Sequence, residues 1–104
     1  MYCMRVSYPK AEGTRFDFEY YRTKHMAICA ETLKDFGFKG YILQGPSGAA
    51  PGADGATWAS VDILFDSADS LQAAMPHAGP MADDVKNYTD CTPQMSFCPV
   101  ELGL

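Results

Sequence analysis

No run of lysine or arginine occurs in these 104 residues; eight basic side chains are dispersed among thirteen acidic ones, for a formal charge of −5. Such a surface offers no footprint for a phosphate backbone or an anionic bilayer, so neither nucleic acid nor membrane is expected as a partner. No apolar stretch approaches bilayer-spanning length, and no charged segment leads into an apolar one near Met1, which points to the cytoplasm. The glycines never fall as Gly-x-Gly-x-x-Gly or end in Gly-Lys-Ser/Thr, which removes the dinucleotide and phosphate-loop fingerprints. Cys3, Cys29, Cys91 and Cys98 form no Cys-x-x-Cys pair and no zinc spacing, so free thiols are expected in a reducing compartment. His25 and His77, the only histidines, are distant in sequence and make a weak metal case. No metal or cofactor is expected.

What remains is the composition of one globular domain spanning 1–104, 47% hydrophobic and 20% charged, without linker, repeat or low-complexity tail. Tyr2–Tyr8 alternates as a strand, with Met4, Val6 and Tyr8 on one face and Cys3, Arg5 and Ser7 on the other. Pro9 to Thr14 is a turn. Asp17 has the side chain of an N-cap and opens a helix to about Phe36, with Gly37 placed to end it. Gly40–Gln44 reads as a second strand, Gly45–Gly55 as a small-residue loop, and Thr57–Phe65 as the clearest strand. In that strand Ala59, Val61, Ile63 and Phe65 oppose Trp58, Ser60, Asp62 and Leu64. Asp66 and Ser67 cap a second helix carrying Leu71, Ala74 and Met75; Pro76 and Gly79-Pro80 break it, and Pro80 starts a short second piece. A last strand is expected from Tyr88 to Val100, with Pro93 and Pro99 marking it as an edge or bulged strand.

The order βαββαβ is that of the α+β ferredoxin-like fold, an antiparallel four-stranded sheet with two helices on one face. The other face, bearing Trp58 and Leu64, calls for a cover. A second copy supplies one and closes the two sheets into a barrel, so a homodimer is expected.

His25 falls on the apolar side of the first helix with Phe18, Tyr21, Ile28, Cys29, Thr32 and Phe36. An inward histidine needs a polar partner, a ligand or a depressed pKa. It is either a core residue satisfied by its neighbours or a base at a binding site. Tyr21 lies beside it and Tyr20 about a quarter-turn away; both are open to packing or to ligand contact. Asp62 shares the barrel-side face with Trp58, and its cheapest partner is Arg5 on the neighbouring strand. A buried ion pair is the simpler reading there, proton handling the other. His77 is expected at a surface bend, and Asp83 and Asp84 in a solvated first turn after Pro80.

Phe16-Asp17-Phe18-Glu19-Tyr20-Tyr21-Arg22-Thr23-Lys24-His25-Met26, an aromatic-Asp opening followed by Tyr-Tyr and His-Met, resembles the EthD family. Ala82-Asp83-Asp84-Val85-Lys86-Asn87-Tyr88-Thr89-Asp90 resembles the second recurrent segment of that family. The family is named for a gene cluster degrading ethyl tert-butyl ether, and the resemblance implies a dimeric α/β barrel with His25 in a pocket between helix and sheet. It also implies an oxidoreductase association through the family's founding context. Two functions follow as expectations. One is an enzyme moving protons on a small apolar cyclic or aromatic metabolite, with His25 catalytic and Tyr20, Tyr21, Trp58 and Asp62 contacting substrate. The other is a non-catalytic binding protein that carries a hydrophobic intermediate to a partner oxidase.

Overall fold

The computed structural model describes residues 1–53 and 55–104; Asp54, within the expected 45–55 loop, lies outside the described residues. Strand β1 (Tyr2–Pro9) leads into helix α1, which runs without interruption over residues 18–33. Strand β2 (Phe38–Gln44), a two-residue strand β3 (Ser47–Gly48) and the long β4 (Gly55–Phe65) follow. Helix α2 (Ala68–Ala74) ends in a 3-10 turn, Met75–His77, and α3 (Gly79–Asp84) ends in another, Val85–Asn87. Strand β5 (Gln94–Pro99) closes the chain. All pairings are antiparallel, in the order β2-β4-β1-β5 with β3 beside β4, the ferredoxin-like topology. The sheet thus has five strands rather than four, because part of the expected 45–55 loop pairs back onto β4.

Local chemistry accounts for most boundaries. The Asp17 carboxylate accepts the Tyr20 N–H at 3.1 Å; α1 stops at Leu33 rather than near Phe36, and Gly37 closes the turn that follows at φ +70°, a backbone that side chains rarely adopt. Ser67 caps α2, and Pro80 sits in the first turn of α3. On the sheet, Met4, Val6, Tyr8, Ala59, Val61, Ile63 and Phe65 turn toward the helices and are buried there. The expected strand from Tyr88 begins only at Gln94. Residues 88–91 instead stitch to the entry of α1, since Asp17 N–H reaches Tyr88 O at 2.7 Å and Thr89 Oγ1 reaches Arg15 O at 2.6 Å. Those bonds satisfy the backbone locally, so Tyr88 turns inward and Cys91 is buried outside any strand.

The opposite face of the sheet carries a polar network at its centre. Arg5 faces Asp62 across β1 and β4 and donates from Nε at 2.6 Å and from a terminal nitrogen at 3.0 Å. Gln44 donates to Asp62 at 3.3 Å and accepts from Ser60 at 2.7 Å. Around it lie Trp58, Leu64 and a half-exposed Ile42, so this face is more polar than expected. No helix among the described residues is long and apolar enough to cross a membrane.

Candidate functional site

Helix α1 is α-helical at its ends and widens to a π turn over Tyr21–His25, where the Met26 N–H reaches Tyr21 O. The extra residue in that turn puts Tyr21, His25 and Met26 together on the buried side, with Cys29 and Leu33 below them. Ile28 and Thr32, expected on the same stripe, are only half-buried, because the wide turn advances the helical phase, and Phe36, also half-buried, lies past the end of the helix.

His25 is 5% exposed, and Asp84, which was expected in solvent, is 6% exposed and faces it. His25 Nδ1 lies 2.9 Å from Asp84 Oδ2; Tyr20 Oη and Asn87 Nδ2 donate to Asp84 Oδ1 at 2.7 and 2.9 Å. Burial pushes the Asp84 carboxyl up, but the donors Asn87, Tyr20 and His25 outweigh it and hold the pKa below the ordinary value. Asp84 is therefore ionised and can only accept, which assigns the imidazole proton to Nδ1. Burial lowers the His25 pKa below 6.5 against the opposing pull of Asp84, so the ring is neutral at neutral pH.

The remaining directions follow in sequence. A neutral ring with Nδ1–H leaves a lone pair on Nε2, and Tyr88 Oη, 3.3 Å away, donates to it. Tyr88 then has only lone pairs for Tyr8, so Tyr8 Oη donates across their 2.5 Å contact. The chain Asp84–His25–Tyr88–Tyr8 joins α3, α1, the 88–91 turn and β1. Burial pushes Tyr8 up to about 12 and Tyr21 and Tyr88 further, so all three phenols stay protonated.

A cavity of about 320 Å³ opens between α1, the sheet and α3. Five of the six methionines, Met4, Met26, Met75, Met81 and Met95, line it. Its polar lining is Tyr8, Tyr21 and His25, with the Cys29 thiol pushed up to about 12 by burial and then by Asp84, hence unreactive. Neither lysine nor arginine is among the described lining residues.

Of the side chains singled out from sequence, His25 and Tyr21 line this cavity. Tyr20 lies outside it, donating to Asp84, which bonds His25, and stacking on Tyr88. Asp62 belongs to the Arg5 pair on the opposite face of the sheet. Trp58 stands at the end of β4, its Nε1 donating to Thr14 Oγ1 at 3.1 Å and its ring stacked on Phe16. Sequence reasoning missed Asp84, Tyr88 and Tyr8. The available signal was the inward histidine itself, which required an acceptor, and the Asp-Asp pair on a helix following Pro80. Among the described residues no group of three or more His, Cys, Asp or Glu is placed to hold a metal ion.

No protein-family model matches the chain, and no curated protein does. Solved structures do. An EthD-like protein from Ralstonia eutropha is 34% identical over 97% of this chain and 92% of its own, with a TM-score of 0.84. An ethyl tert-butyl ether degradation (EthD) family protein from Bacillus halodurans is 16% identical over 90% and 96%, with a TM-score of 0.61. A dimeric ferredoxin-like protein from an uncultured marine organism is 8% identical over 100% and 98%, with a TM-score of 0.64.

Proposed function

This chain belongs to the EthD-like family, and on that premise we propose that it is a cofactor-independent enzyme of small-molecule metabolism, moving a proton on an apolar cyclic or aromatic metabolite with His25 as the base. The observation that carries this reading is a neutral imidazole, backed by an ionised carboxylate, at the wall of an otherwise apolar methionine-lined cavity. A weakly acidic C–H beside a carbonyl gives its proton to the Tyr8 oxygen, as Tyr8 passes its own to Tyr88 and Tyr88 passes its own to His25 Nε2. The substrate is left as an enolate, both phenols are regenerated, and the imidazolium rests on Asp84. Return of the proton, to the same or another carbon, completes a turnover. The chain works as a homodimer in this reading, which the half-exposed Ile42, registered opposite Asp62 on the outer face, supports.

The test is deuterium uptake by α-tetralone, a bicyclic ketone, in D₂O, followed by NMR. The wild-type protein accelerates uptake, and His25→Asn lowers the rate by at least about a hundredfold with its circular dichroism unchanged. Undiminished uptake in the variant, or none in the wild type, overturns the catalytic reading. A carrier for a partner oxidase needs the same cavity and would lose affinity, with no turnover to lose.

A further inference from the structure

Tyr21 is fully buried, stacks on His25 with ring centroids 5.4 Å apart, and lines the cavity. Its hydroxyl is the one buried side-chain polar atom among the described residues that has no hydrogen-bond partner. Burial, and after it the nearby Tyr8 hydroxyl, push its ionisation up, but Tyr8 Oη is placed too loosely to serve as its hydrogen-bond partner. The other protons of the cluster are committed: His25 Nδ1–H to Asp84, Tyr88 to His25, Tyr8 to Tyr88. Among the described residues, Tyr21 therefore holds the single uncommitted hydroxyl proton at this cavity. A buried donor left unpaired is costly, and native proteins keep few of them unless something arrives to meet them.

The rest of the wall says what arrives. Methionine is flexible and polarizable and makes favourable contacts with aromatic rings, so five of them form a surface that adapts to a flat apolar body. Among the described residues no cation lines the cavity, and the nearby Asp84 is ionised, so a carboxylate or phosphate would be buried uncompensated beside a like charge. We infer that the ligand is a neutral, flat, largely apolar molecule with one accepting oxygen, a ketone or quinone carbonyl, and that Tyr21 Oη is the donor that holds this oxygen. The inference rests on the cavity being the working site, as proposed above. It gives Tyr21 the further role of stabilising the oxygen on which negative charge would grow as a proton leaves the adjacent carbon.

Binding of α-tetralone and of tetralin, the same skeleton without the oxygen, separates the terms. Wild-type protein binds the ketone about tenfold tighter, the worth of one hydrogen bond. Tyr21→Phe binds tetralin unchanged, loses the preference for the ketone, and melts no lower than wild type. A preference that survives in Tyr21→Phe, or none in the wild type, overturns the inference, as does equal affinity for naphthalene-2-carboxylate. Tyr21-dependent binding without deuterium uptake overturns only the catalytic reading. Uptake without a Tyr21-dependent preference overturns only this one.

Discussion

Burial and Asp84 act on His25 in opposite directions, and the direction of its pKa records which effect is larger. Desolvation favours the neutral ring and the carboxylate favours the imidazolium; burial prevails, and the folded pKa falls below 6.5. The unfolded chain consequently takes up a proton as pH drops below 6.5 while the folded chain does not. This contribution to stability is complete above 6.5 and is lost as pH falls toward the folded pKa. Asp84 adds a second loss of the same sign further down, because its folded pKa lies below 3.8. NMR titration of the imidazole should place wild-type His25 below 6.5 and Asp84→Asn lower still, since the carboxylate is what holds it up. A higher value in the variant would show that the ring is not bonded to Asp84. The tyrosines differ in the same accounting. Tyr88→Phe strands Tyr8 and His25 Nε2 and should cost about 1–3 kcal/mol in denaturant unfolding, whereas Tyr21→Phe removes a hydroxyl that bonds nothing in the protein.

Helix α1 shows how one element sets the site and how far its pattern is readable. Its start at Asp17 follows from side-chain chemistry and was legible, whereas the helix stops at Leu33, short of the expected Phe36, in a turn that Gly37 closes. Which residues face inward after His25 was not legible, because a period of 3.6 presumes a uniform α-helix and the π turn adds a residue. That turn depends on tertiary packing, where Tyr21, His25 and Tyr88 pack ring on ring. The turn after the helix is more rigidly specified. A Cβ on Gly37 would need φ +70° and would stand 2.5 Å from Asp66 Oδ1, whose own backbone N–H bonds to Gly37 O. Gly37→Ala should lose about 1–2 kcal/mol from the left-handed backbone alone, read as a lowered denaturation midpoint. An unchanged midpoint would mean that the 34–37 turn relaxes freely. Strand β5 is the contrasting case, exposed along its whole length, with Met95 and Phe97 on the helix side, Met95 in the cavity wall and Phe97 in a groove against α2.

At the scale of the molecule, the sheet has a buried helix side that holds the cavity and an outer side organised by Arg5 and Asp62. The Arg5 hydrogen bond holds the Asp62 carboxyl below its usual range, so the ion pair persists at neutral pH and weakens as pH falls below 3.8. In the single chain the Arg5 side chain is 56% exposed, and such a pair is worth at most about 1 kcal/mol. Covered by a second copy, the same pair is removed from water, and deleting one partner costs about 3–5 kcal/mol. Arg5→Ala and Asp62→Ala should therefore weaken self-association in sedimentation, with a coupling that grows with protein concentration. A coupling below about half a kcal/mol at every concentration would place this face in solvent and remove the proposed dimer.

The sequence by itself determined the fold class, the order of the elements, the two faces of β1 and β4, and the Arg5–Asp62 pairing. These are properties of local periodicity, of capping residues and of strand order, each encoded within a few neighbouring residues or by topology. It also marked His25 as an inward residue in need of a partner. It did not reveal Asp84 and Tyr88 as the flanking groups, since the 88–91 segment reads as a strand and an aspartate after a proline reads as a solvated helix start. Only the tertiary structure brought α3 against the wide turn of α1, because the bonds from 88–91 to the entry of α1 replace the strand pairing that alternation alone suggests. The direction of each proton in the cluster, and hence the one left free on Tyr21, follows from burial and from distances between residues more than fifty positions apart, which no local pattern contains.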